Sequence, residues 1–128
     1  MELIGPDKLK VATSPIHGFG VFAKSWIKTG EIIEECHFLP FETNSEDPLF
    51  NDYRFIVGRS ETLGFVTYAM LLGFGGIYNH SETPNIAWRH DTEKNCFTFF
   101  ALVDINPGDE LCSYYGGSEY WKSIGMEI

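Results

Sequence analysis

Glu110-Leu111-Cys112-Ser113-Tyr114-Tyr115-Gly116, taken with Asn79-His80-Ser81, is the part of the chain whose reading decides its fold. The first stretch carries a tyrosine hydroxyl to the end of a short strand, just before a glycine turn. The second is a polar tripeptide that closes an apolar, glycine-rich stretch from Leu63 to Tyr78. Neither is needed to fill a core. Asn79 offers both a carbonyl acceptor and an amide donor, which suits the amino and carboxylate groups of an amino-acid-like ligand. Together the two stretches point to a site where a cationic group meets an amine.

Outward from these stretches, strand signals dominate. Cys96 to Val103 sets β-branched and aromatic side chains in series and is the clearest strand. Asn106-Pro107-Gly108-Asp109 is a strong turn, because proline presets φ and glycine tolerates positive φ. Glu110 to Tyr114 extends again beyond it. Leu9 to Ala12, Val21 to Ala23 and Glu31 to Phe41 read as further strands, with Lys28-Thr29-Gly30 a turn between the last two. Asn51 to Ile56 reads as a short strand or a helical turn, and Thr43 to Pro48 as a loop. Leu63 to Tyr78 contains Gly64, Gly73, Gly75 and Gly76, each costing a helix about 1 kcal/mol relative to alanine. The expectation there is a short helix ending near Leu72, then an irregular segment. One more helical turn is expected around Tyr120-Trp121. Short strands joined by tight turns predict a mostly β fold of small sheets.

The composition fits one domain. The 128 residues match the usual size of about 100–150, and 44% hydrophobic and 16% aromatic residues argue against disorder. No apolar run reaches the roughly 18 residues of a membrane helix, and Met1 to Pro6 lacks a secretion signal. The net charge of −9 disfavours direct nucleic-acid binding, which needs clustered Lys and Arg, and steers basic partners instead. The same acidity also fits a charge that serves solubility alone. Cys36, Cys96 and Cys112 are an odd number without a CxxC, which disfavours a disulfide framework or a four-cysteine zinc site. An intracellular, reducing compartment is expected, cytoplasmic or nuclear.

Each candidate residue also has a plain structural reading. Asn79-His80-Ser81, followed by Pro84-Asn85, reads as a turn when taken alone. His80 has no HxH or HxxxH partner, so no metal site is expected. Gly18-Phe19-Gly20 is a bulge or hairpin turn, or else a bare backbone that a ligand can approach. Tyr115 is a strand-end tyrosine with its hydroxyl in water, or a site residue. Tyr53, Tyr78, Tyr114 and the tryptophans belong to an aromatic core, or else wall a slot that suits a lysine stem and a methylated ammonium.

In combination these elements resemble the SET domain, the fold of most protein-lysine methyltransferases. Ser14-Pro15-Ile16-His17-Gly18-Phe19-Gly20-Val21-Phe22-Ala23 resembles the family's N-terminal strand with its GxG turn. Asn79-His80-Ser81-Glu82-Thr83-Pro84-Asn85 resembles its NHSxxPN motif, and Gly108 to Gly116 its C-terminal motif. The resemblance spans about Leu9 to Trp121, within a single domain covering residues 1–128. Leu71 to Ile77, Glu119-Tyr120-Trp121 and the lack of added modules on either side make the chain most similar to the minimal viral SET proteins.

The resemblance implies a β-clip fold of several small sheets with a few short helices, closed by a C-terminal pseudoknot that brings the Asn79 and Tyr115 segments together. It implies S-adenosylmethionine as cofactor. Gly18, Phe19 and Gly20 would line the methionine part, Asn79 would hold its amino-acid end, the His80 backbone its adenine edge, and Trp121 would cover the adenine. Tyr115 would stand beside the transferred methyl as the catalytic residue. Tyr53, Tyr78, Trp88 and Tyr114 are the candidates for the substrate side, with Trp88 near the position that governs how many methyls are added. The partner implied is a lysine-bearing protein or peptide such as a histone tail, with no membrane and no nucleic acid. The family's three zinc-binding cysteines are missing after the C-terminal motif, so Tyr120-Trp121, the tail or a partner subunit of a homodimer must close the lysine channel. Three alternatives are a non-catalytic SET-like module that binds a lysine peptide, an unrelated metal-dependent β enzyme that uses His80 and His90, and a structural interaction domain, which the polar motifs disfavour.

Overall fold

The computed structural model describes residues 2–43, 54–60 and 65–114. Its strands are β1 (Leu9–Thr13), β2 (Phe19–Ala23), β3 (Ile32–Cys36), β4 (Phe38–Thr43), β5 (Arg54–Ser60), β6 (Phe65–Leu71), β7 (Asn79–His80), β8 (Ile86–Asp91), β9 (Cys96–Ala101) and β10 (Glu110–Ser113). They form a four-stranded sheet in the order β1-β2-β10-β7 and two three-stranded sheets, β3-β9-β8 and β4-β6-β5. The mostly β architecture of several small sheets is as expected. The short helix expected before Leu72 is a strand instead, since Phe65–Leu71 pairs with both β4 and β5. Phe65-Val66-Thr67-Tyr68 is a β-branched and aromatic run, and two-sided sheet pairing overrides any helical tendency. The described residues contain no helix. The expected helical turn at Tyr120-Trp121, the tail of the expected pseudoknot and most of the expected Thr43–Pro48 loop lie outside them.

Strand β9 is the centre of the core. It lies between β3 and β8 and is buried on both faces, which explains its nearly unbroken apolar sequence. Phe97 and Phe99 point to one face, with Trp88 and His90 opposite them on β8. Phe97 stacks on the His90 ring at 5.1 Å and meets the Phe38 ring edge-on at 5.3 Å. Truncating either fully buried phenylalanine would cost about 3–5 kcal/mol.

Strand β3 carries two buried glutamates, which alternation turns to opposite faces. Glu35 pairs with Lys94 Nζ at 2.8 Å and accepts from Ile4 N at 2.8 Å. Burial works against its charge, but these donors hold its carboxyl below the ordinary range. Glu34 accepts from the Tyr78 hydroxyl at 2.6 Å and from Phe74 N at 2.8 Å. Desolvation there outweighs the donors and pushes the Glu34 carboxyl up. Gly73, at φ +80°, lies against this carboxylate, and an added Cβ would sit 2.6 Å from Oε2. Glu34 thereby anchors the Gly73–Tyr78 segment that leads into Asn79.

Candidate functional site

The Asn106–Asp109 turn launches β10 toward the site. Asp109 N donates to Asn106 O at 3.1 Å, Asn106 N donates back to the Asp109 carboxylate at 3.0 Å, and Gly108 takes the positive φ of +91° that this turn needs. Strand β10 then enters antiparallel to β2 and continues parallel to β7, with Cys112 opposite Asn79 and Ser113 opposite His80. The two stretches quoted at the outset are therefore neighbours in one sheet.

Asn85 secures this join. Its Nδ2 donates to Glu110 O, and its Oδ1 accepts from Cys112 N, both at 2.8 Å. Its own backbone N–H donates to Cys112 O at 3.1 Å, and its carbonyl accepts from Leu102 N at 2.8 Å. An asparagine side chain acting as a piece of strand supplies pairing where β7 is only two residues long. Ser81 N donates to Ser113 O at 2.9 Å and extends the seam.

Asn79 is buried at the junction of three segments. Its Nδ2 donates to His17 O (3.1 Å), Phe19 O (3.3 Å) and Glu110 Oε2 (2.8 Å). Two backbone carbonyls and a carboxylate can only accept, so the amide nitrogen must face them. Oδ1 is turned the other way and makes no hydrogen bond among the described residues. The Glu110 carboxylate also accepts from Ser14 Oγ at 2.8 and 3.0 Å, and Ser14 Oγ in turn accepts from Ile16 N at 3.0 Å. This corner gathers acceptors without a cation among the described side chains, which suits a positively charged amino group.

The expected site residues fall into three groups. Gly18, Phe19, Gly20, Asn79 and His80 come together beside β10. Gly18 has φ +48° and open space where a Cβ would be, so its backbone is approachable. Gly20 is glycine for an internal reason, because a Cβ there would lie 2.3 Å from Glu110 Oε2. Phe19 is 66% exposed at the lip of the site. The His80 ring lies 5.0 Å from the half-buried Tyr114 ring and 3.1 Å from Glu82 Oε1.

Tyr78 and Trp88, expected on the substrate side, are both buried. Tyr78 is buried in the core with its hydroxyl given to Glu34. Trp88 is buried against Phe97 in the β8–β9 sheet. Both follow the plain core reading of a large aromatic. Tyr53, Tyr115 and Trp121 lie outside the described residues.

Ser14, Asn85 and Glu110 were not singled out from sequence, yet they hold the junction together. Their signal was faint but present. Each is a polar residue inside one of the three motifs, and Glu110 is charged at the start of an otherwise buried strand.

The histidines of the metal alternative are separated by the sheets. His80 is on β7 of the four-stranded sheet, and His90 is on β8, ring-stacked on Phe97. Among the described residues, Glu35, Asp91 and Cys96 place ligand-type atoms within 4.8 Å of one another. The Lys94 ammonium already pairs with Glu35, and burial pushes the Cys96 thiol up. A thiol must lose its proton to bind metal, so the trio reads as an ion pair beside a buried cysteine.

Comparison with known proteins agrees with this geometry. A histone-lysine N-methyltransferase of Schizosaccharomyces pombe, described as H3 lysine-37 specific, is 27% identical over 113 residues, covering 84% of this chain and 73% of the relative. The crystal structure of a candidate histone methyltransferase from Plasmodium falciparum superposes with a TM-score of 0.68 at 27% identity, covering 87% of this chain and 99% of the other. The SET domain family model matches residues 18–116, which take in the GxG turn, the Asn79 motif and all of β10. The chain belongs to the SET domain family.

Proposed function

We propose that this SET domain is a protein-lysine N-methyltransferase that uses S-adenosylmethionine, with a basic segment such as a histone tail as its substrate. The observation that carries the reading is the forced orientation of Asn79. Its amide nitrogen is committed to His17 O, Phe19 O and Glu110, on either side of the approachable backbone of Gly18, which leaves Oδ1 as the acceptor turned away from them. An acceptor-rich corner fits the ammonium at the amino-acid end of the cofactor, and the names of the two relatives fit the reaction.

When bound, the cofactor supplies an electrophilic methyl group on a sulfonium. The chain must then present a neutral amine. A lysine in water has a pKa of about 10.4 and is almost wholly protonated at neutral pH. Desolvation in a narrow passage disfavours the charged form and lets the proton leave to water. Tyr115, one residue beyond Tyr114, is assigned to hold the amine in line, and alignment of this kind is worth several kcal/mol. Asn79 and the Gly18–Gly20 backbone bind the amino-acid end, the His80 backbone the adenine edge, and Trp121 covers the adenine. Tyr53 and Tyr114 are assigned to the substrate side. The finer likeness to minimal viral SET proteins, pairing of two copies and an intracellular site of action belong to the same reading.

Transfer of radiolabelled methyl to an array of basic peptides tests the proposal. Incorporation on lysine is expected. Saturable peptide binding without incorporation would instead favour the non-catalytic module. Calorimetry on Asn79→Ala is expected to show weakened cofactor binding, and unchanged affinity would count against Asn79's role.

A further inference from the structure

We infer that Glu110 is a positioning residue, which acts on the cofactor through the Asn79 amide and not by touching the ligand itself. This rests on the reading of Asn79 given above.

The argument starts from hydrogen-bond capacity. The Asn79 side chain has two N–H groups for three acceptors. The shortest of the three contacts, at 2.8 Å, is to Glu110 Oε2, and the carbonyl contacts are longer at 3.1 and 3.3 Å. Without Glu110 the amide would keep only those two partners. Both are backbone groups of the His17–Phe19 loop, where Gly18 adopts φ +48°. Loop and amide would then move together, and the Oδ1 direction would no longer be set by the sheet. With Glu110 present, Asn79 is referenced to β10, the strand that leads toward Tyr115.

The carboxylate is itself fixed from two further sides. Ser14 Oγ donates to both of its oxygens. Gly20 leaves the space that Glu110 fills, since a Cβ there would meet Oε2 at 2.3 Å and Ser14 Cβ at 3.1 Å. Ser14, Gly20, Glu110 and Asn79 therefore form one packed unit joining the β1–β2 connection, β2, β10 and β7. Gly20, a residue expected to line the ligand, owes its smallness to this unit.

Calorimetry with S-adenosylmethionine on single and double variants tests the inference. Glu110→Ala is expected to weaken cofactor affinity roughly tenfold, the equivalent of losing one charge-assisted hydrogen bond. In an Asn79→Ala background the same change is expected to be nearly silent, because its effect runs through that amide. Glu110→Gln keeps one acceptor for Asn79 and is expected to recover most of the loss. Ser14→Ala, which leaves β10 untouched, is expected to act in the same direction more weakly and to fall silent with Asn79→Ala. Full additivity with Asn79→Ala, or a glutamine variant as weak as the alanine variant, would overturn the positioning role.

A ligand-free readout keeps this separate from the functional reading. The Asn79 side-chain amide protons should exchange slowly with water in the unmodified protein and fast in Glu110→Ala. Wild-type protein that binds no cofactor would sink the functional reading alone. Amide exchange unaffected by Glu110→Ala would sink the positioning inference alone.

Discussion

Tyr78→Phe is expected to destabilise the protein in a pH-dependent way. The substitution deletes one hydroxyl and leaves the ring to pack as before, at 4.7 Å from the Phe99 ring. What it removes is the 2.6 Å hydrogen bond to Glu34 Oε1, made wholly within the core. A bond to a charged acceptor is worth about 1.5–3 kcal/mol, against about 0.5–1.5 for a neutral pair. With Phe74 N still donating to the other oxygen, a loss of about 2 kcal/mol near neutral pH is expected. At about 4 °C per kcal/mol for a chain of this size, Tm falls by roughly 8 °C.

The sign of the pH dependence follows from Glu34. Its folded pKa is raised above the ordinary 4.5, chiefly by desolvation, with Tyr78 the largest opposing influence. The folded state therefore holds the proton more tightly than the unfolded chain. The stability this group contributes is complete below about 4.5 and is lost as pH rises through the folded pKa. Removing Tyr78's donor raises that pKa further, so the deficit of Tyr78→Phe grows with pH. Urea unfolding followed by tryptophan fluorescence at pH 7.5 and pH 4 measures it. The expected deficit is about 2 kcal/mol at the higher pH and about 1 at the lower. A deficit that is flat across this range, or larger in acid, would refute the account of Glu34 as a buried carboxylate stabilised by Tyr78.

Three further outcomes are expected. Gly73→Ala should cost at least about 1 kcal/mol in thermal unfolding, because it forces a side chain into φ +80° and against Glu34 Oε2; a neutral result would remove the tight approach. Asn85→Ala should destabilise by roughly 2–3 kcal/mol, having lost two hydrogen bonds to β10, and hydrogen exchange at Cys112 N should speed up; unchanged protection there would show that the side chain does not hold the strand. Lys94→Met should lower stability above pH 4.5, where Glu35 is charged, with the penalty fading as pH falls through the depressed Glu35 pKa; a penalty that persists in strong acid would contradict the ion-pair account.

The join of the Asn79 and β10 segments was easier to foresee than the sheets around it. The pairing of Asn79 with β10 was legible through the resemblance of the two motifs to the SET domain, since Asn79-His80-Ser81 taken alone reads as a turn, whereas proline and glycine in Asn106–Asp109 dictate their turn directly. Strand β9 was legible from its own composition. Strand β8 was not, since Arg89, His90 and Asp91 hide a strand whose other half is buried. Nor was β6, where counting glycines weakened the case for a long helix without revealing partners on both sides. Glu34 and Glu35 were the least predictable, because a glutamate in a strand is ordinarily solvated. Only tertiary structure supplies the Tyr78 hydroxyl and Lys94 ammonium that let each be buried. Tyr78 and Trp88 show the same limit from the other side, since an aromatic residue beside a motif serves a core as readily as a channel.

The most direct test of the central claim is intact-mass analysis of lysine-bearing histone and non-histone peptides after incubation with S-adenosylmethionine, comparing unmodified protein with Tyr115→Phe. Unmodified protein is expected to add methyl groups to lysine, and Tyr115→Phe to lose about a hundredfold or more in turnover while binding the cofactor as before. No mass gain on any peptide, or equal turnover by the variant, would contradict the account.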